Sequence, residues 1–184
     1  VLEGENMKDQ ILSMIADKVS ESVNMCCTDE VATEDWDLTE LNRVIRQIIP
    51  LQPITSETLE GIKNTKQLIE KLTDEANALY AAKEAEFPEP DAFREIERVV
   101  LLKVIDKKWM AHLDDMTQLR QGITLQAYGS KDPVVEYKFA GFDMFNEMTA
   151  SIREDTVRML LHVKIEQKAE REEVAKVTGT NKDD

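Results

Sequence analysis

Glycine, proline and aromatic residues are all scarce in this chain of 184 residues, with 6 Gly, 5 Pro and 5% Phe, Trp and Tyr. Sandwiches and barrels need frequent turns and many β-formers, so the shortage excludes an all-β fold. No apolar run approaches the ~20 residues that cross a bilayer. No signal peptide is expected, because the opening VLEGENMKDQ is polar and acidic. The glycine-rich loops that cradle nucleotide phosphates, G-x-x-x-x-G-K-[ST] and G-x-G-x-x-G, are missing. So is H-E-x-x-H, and the two histidines, His112 and His162, are far apart. The two cysteines, Cys26 and Cys27, are adjacent, a spacing that suits neither a metal nor an unstrained disulfide. Two reduced thiols in a reducing compartment are expected instead. Basic residues are outnumbered, 23 Lys and Arg against 37 Asp and Glu. That balance argues against a nucleic-acid partner, since phosphate contacts need clustered cations.

The chain is rich in apolar residues, at 42%, enough for a core. It begins with Val rather than Met, so a piece of something longer is expected. The net charge of −14 is uneven. Residues 1–62 carry 13 acids and 4 bases, whereas 103–141 carry 5 and 6. Between 21 and 40 stand seven acids and no base, readable as a solvated face or as a surface for a basic partner.

Helical periodicity dominates. A helix is expected from about Asn6 to Met25, with Ile11, Ile15, Val19 and Val23 spaced by four. A second starts at Asp37, with Glu40 three residues on, and stops before Pro50. A third opens at Asn64 with Gln67, and buries Leu68, Leu72, Ala76, Leu79 and Tyr80. Pro88 and Pro90 break the chain. A long helix is then expected over about Asp91 to Gln121, with a stripe of Val99, Leu102, Ile105, Trp109, Leu113, Met116, Leu119 and Ile123. Leu101, Val100 and Val104 widen the apolar arc near its start. Gly122 is read as its stop. Asp132-Pro133 opens the last helix, which carries Val134, Tyr137, Met144, Met148, Ile152, Met159 and Val163. These steps suit an antiparallel partner along its length. The fold class is all-α: a long antiparallel two-helix hairpin packed on a further helix, with a small helical subdomain. After Lys164 the stripe ends, and TGTNKDD is expected to be disordered.

Candidate chemistry is sparse. Asp114 and Asp115 are neighbours on a helix, pointing about 100° apart, so they do not converge on one substrate atom. His112 flanks the expected interface and reads as a packed histidine rather than a catalytic one. The loop from Gly122 to Asp132 is longer than most hairpin turns, and holds Tyr128 between Ala127 and Gly129. Such an aromatic is either a contact device on a rigid rod or a ring folded back on its own hairpin.

The run WMAHLDDMTQLRQGITLQAYGSKDPVVEYKFAGFDMFNEM, Trp109 to Met148, closely resembles the C-terminal helical region of the SecA family, motor subunits of bacterial preprotein translocase. Trp109, His112, Leu113, Met116, Leu119, Arg120, Gln121, Gly122 and Ile123 match. So do Tyr128, Lys131, Asp132, Pro133, Glu136, Tyr137, Lys138, Phe142, Met144 and Phe145. The opening VLEGEN is similar to the family's VLDGE-type segment. The resemblance is collinear over 99–163 and looser over 24–90.

It implies an organisation. Residues 1–23 would be the later part of the long scaffold helix and 24–90 the helical wing. Residues 91–163 would form the two-helix finger with the remaining scaffold, and 164–184 the start of a C-terminal linker. The resemblance also implies that ATP and Mg serve motor domains of the parent protein, with no cofactor and no enzyme activity in this piece. The family's C-terminal zinc motif has no counterpart here. Implied partners are the SecYEG channel, an unfolded preprotein, the motor domains of the same parent chain and, peripherally, the membrane surface. The implied place is the cytoplasm, at the inner face of the bacterial plasma membrane. Tip residues Gln126, Ala127, Tyr128, Gly129 and Lys131 would contact channel and polypeptide. Trp109, Leu113, Met116, Leu119, Tyr137, Met144 and Met148 would pack the finger. Family members commonly carry Arg at the place of Gln126, Gly at that of Ala127, and Asp-Tyr at that of Thr117-Gln118. A different class of function, a helical adaptor or accessory relative with a restricted client set, would use the same hairpin to hold one defined partner tightly.

Overall fold

The computed structural model describes residues 4–87, 89–126 and 132–164. Five α-helices account for most of them: α1 (Gly4–Cys26), α2 (Leu38–Arg46), α3 (Thr65–Ala85), α4 (Pro90–Gln126) and α5 (Pro133–His162). No strand occurs among the described residues. None of their helices is long and apolar enough to cross a membrane.

The expected caps form. Asp37 accepts from the Glu40 N–H at 2.9 Å, Asn64 from the Gln67 N–H at 2.9 Å, and Asp132 from the Val134 N–H at 2.9 Å. The Glu40 carboxylate turns to Arg43, whose Nε lies 2.7 Å away. Gly61, at φ 81°, turns the chain toward α3 in a conformation costly to any L side chain.

The core is built where periodic apolar faces meet. Met7, Ile11, Ile15, Val19 and Val23 form one buried line along α1. It packs on Leu41 and Ile45 of α2 and on Leu68, Leu72, Ala76 and Tyr80 of α3. Trp36, Ile48, Ile49, Leu51 and Ile54 close this unit from the connecting segments. Each buried Val, Leu, Ile or Met among them contributes about 1.5–3 kcal/mol. Phe93 and Leu101 of α4, with Val157, Leu160 and Leu161 of α5, join the same core. The hairpin of α4 and α5 is thus seated on α1 and α3 by its root alone.

Two expectations about α4 need correction. Gly122 does not stop it, and the helix continues to Gln126. A helical glycine costs about 1 kcal/mol against alanine, and flanking Leu119 and Ile123, both half-buried, continue the apolar face past it. The stripe is also displaced. The core-facing line is Phe93, Glu97, Leu101 and Val104. Val99, Leu102, Ile105, Trp109 and Leu113 are 37–53% exposed, about a third of a turn around the helix. Trp109 is therefore not a core residue within this chain. The apolar arc at the start of α4 is wide enough for two faces, and the root packs only one of them.

Candidate functional site

The hairpin that the sequence singles out has a distinct middle and root. In the middle, α5 faces α4 through Met148, which is buried, and through half-buried Met116, Leu119, Tyr137 and Met144. The Met116 thioether end packs beside Gly141, where an added Cβ would lie 3.1 Å from the Met116 Cε. The His112 ring sits between two aromatics, 5.8 Å from Trp109 and 6.1 Å from Phe145. Lys108 and Asp155 pair across the interface at 2.6 Å. Beside them runs a groove of about 220 Å³ lined by Lys108, Ala111, His112, Asp115, Met144 and Glu147. Among the described residues no group of three His, Cys, Asp or Glu could hold a metal ion.

Of the tip residues, Gln126 ends α4, while Ala127, Tyr128, Gly129 and Lys131 lie outside the described residues. Phe139 and Phe142 on α5 are 68% and 64% exposed, so the hairpin carries aromatic surface along its shaft. Asp114 and Asp115 are both exposed.

The root holds a polar cluster that sequence reasoning missed. Glu97 is fully buried. The Tyr80 hydroxyl donates to its Oε1. Arg94 Nη1 donates to Glu97 Oε2 at 2.5 Å and to the Tyr80 hydroxyl at 2.7 Å, while Nη2 pairs with Glu84. Lys8 of α1 reaches the other oxygen of Glu84 at 2.7 Å. Two cations and two carboxylates thus meet where α1, α3 and α4 converge. The Arg94 guanidinium also lies 5.5 Å from the Phe93 ring centroid, and Phe93 packs edge-on against Tyr80. The available signal was Glu97 itself, a carboxylate at a core-facing period of α4, with Arg94 one turn before it.

Burial pushes the Glu97 carboxyl above its ordinary value, against Tyr80, Arg94 and Lys8, which hold it down. Burial and the bond to Glu97 likewise raise the Tyr80 hydroxyl. Because the folded form of Glu97 binds its proton more readily than the unfolded form, its contribution falls as pH rises through that window. Relative to Glu97→Gln, the parent is expected to lose stability between about pH 4 and about pH 7, measured as urea midpoints at both values. A gap that widens in the parent's favour as pH rises would contradict the sign.

Elsewhere, burial raises the Cys27 thiol to about 11, so it stays protonated and unreactive at neutral pH. Cys26 and Cys27 are both free.

Comparison with known proteins bears on the whole chain. A family profile described as "SecA Wing and Scaffold domain" matches residues 1–164. The chain is 56% identical over 185 residues to the Protein translocase subunit SecA of Lachnoclostridium phytofermentans, covering 100% of this chain and 22% of that protein. It is 45% identical over 168 residues to the like-named protein of Pelotomaculum thermopropionicum, covering 91% and 19%. The Clostridium novyi relative is 42% identical over 185 residues, covering 100% and 22%. The chain spans about a fifth of the length of these relatives.

Proposed function

Because this chain belongs to the SecA family as its wing and scaffold region, we propose that it is the helical arm through which a translocase motor pushes polypeptide into a membrane channel. Residues 1–23 are assigned to the end of the long scaffold helix and 24–90 to the wing. Residues 91–163 are assigned to the two-helix finger with the remaining scaffold, and 164–184 to the start of the linker. The motor domains of the longer protein bind ATP and Mg and hydrolyse the nucleotide, while this region carries no chemistry of its own. It works at the cytoplasmic face of the bacterial plasma membrane, docked peripherally on the SecYEG channel.

The observation that supports the reading is mechanical. Two helices of 37 and 30 residues pack along their length and are seated on the core only at one end. Interdigitated side chains resist sliding, so such a pair carries displacement from root to tip. In the proposed role Tyr128, flanked by Gln126, Ala127, Gly129 and Lys131, is the contact with channel and cargo. An aromatic with a polar edge grips many sequences without demanding one. Trp109, Leu113, Met116, Leu119, Tyr137, Met144 and Met148 keep the shaft rigid or seat it on neighbouring parts of the longer protein.

Tyr128→Ala in the longer protein is expected to reduce preprotein transport several-fold while leaving its thermal midpoint unchanged. Vesicle transport and a melting curve on the same preparation check both halves. Normal transport by a stably folded variant overturns the role given to the tip.

A further inference from the structure

We propose that Tyr80, Arg94 and Glu97 form a directional clasp across the break between α3 and α4, fixing the angle at which the hairpin leaves the helical unit built from α1, α2 and α3. Only residues 86–89 join the two helices, and α4 opens at Pro90. The backbone hydrogen bonds described around it stay on their own sides, Phe87 to Glu84 before the break and Ala92 to Glu89 after it. Side chains span the gap instead. Arg94 reaches back to Glu84 and Tyr80, and Tyr80 reaches forward to Glu97.

Two kinds of contact hold α4 here, and they do different work. Phe93 packs on Tyr80 and Phe87 with ring centroids 5.6 Å and 5.0 Å apart. Apolar burial of that kind is non-directional and tolerates a range of crossing angles. Hydrogen bonds weaken steeply with misalignment, and a guanidinium presents its donors in a fixed fork. The three Arg94 bonds and the Tyr80 bond are satisfied together in one orientation. A buried carboxylate cannot give up these partners without penalty, so intermediate angles are disfavoured. The groups acting on Glu97 are Tyr80 from α3, Arg94 from its own helix and Lys8 from α1, and Glu84 of α3 joins the cluster through its bonds to Arg94 and Lys8. Their formal charges cancel, so the closed cluster repels nothing around it.

The test is a distance measurement, independent of transport, so its failure leaves the translocase reading standing. Spin labels are placed on Lys66 of α3 and Met110 of α4, both exposed, in a cysteine-free background of the intact protein. The parent is expected to give one narrow distance. The combined variant Tyr80→Phe, Arg94→Met, Glu97→Leu keeps the apolar volume, so it is expected to fold with an unreduced urea midpoint but to lose the single distance. A distribution as narrow as the parent's in that folded variant overturns the clasp. If the combined variant does not fold, Tyr80→Phe decides by the same reading: a second distance supports the clasp and an unchanged one overturns it.

Discussion

Arg94→Ala is expected to lower the stability of the chain by about 3–5 kcal/mol at neutral pH, the cost of leaving a buried charge without its partner. Its side chain is 13% exposed, against 0% for Glu97. Truncation removes three donors at once, to Glu97, Tyr80 and Glu84, and strips a cation from two aromatic faces. Glu97 then keeps the Tyr80 hydroxyl but loses the charge that balances it. The carboxylate escapes by taking up a proton, so the loss should shrink on acidification, where the parent and variant midpoints converge. Arg94→Lys should recover part of the loss, because a single ammonium cannot reproduce the fork. Urea unfolding followed by far-ultraviolet circular dichroism at two pH values checks both the size and the convergence. A variant as stable as the parent at neutral pH would show that the cluster is solvated rather than buried.

The second large effect lies at the opposite end of the helical unit. Trp36→Ala is expected to cost about 3–5 kcal/mol, the range for emptying a buried aromatic site. Trp36 is 5% exposed, and its indole N–H donates to the Thr28 carbonyl at 2.8 Å, closing the segment between α1 and α2. That segment is rich in acids and short of apolar residues, so one ring does much of its anchoring. Trp36→Phe retains most of the packing and should lose about 1 kcal/mol, the share of one hydrogen bond. Denaturant midpoints of the two variants separate ring from bond. If alanine and phenylalanine cost the same, the ring is not the anchor.

Local rules carried most of the fold. Asp37, Asn64 and Asp132 announced three helix starts because a side-chain acceptor next to a periodic run has few other uses. The four-residue spacing of Ile11, Ile15, Val19 and Val23 named its buried face because the rest of that helix is polar enough to leave one choice. α4 offered no such contrast. Val99 and Leu102 are as apolar as Leu101 and Val104, and tertiary packing alone decides which arc is covered. Gly122 misled for a related reason, since a mild propensity penalty yields to neighbours that pair with a facing helix. The root cluster was hidden by distance along the chain, because Tyr80 and Glu97 stand on opposite sides of a proline break. The tip was legible only as a pattern of residues, and the role given to Tyr128 rests on resemblance rather than on geometry.

The seating of the hairpin by one end alone has a kinematic consequence. At 1.5 Å per residue α4 is about 55 Å long, so a tilt of about 10° at Phe93 carries Gln126 through about 10 Å. Such a rod exchanges force for travel: a small, strong rotation at the base emerges as a long, weak stroke at the far end. Any change in how Lys8, Glu84 and Arg94 hold the base would therefore be magnified along the shaft.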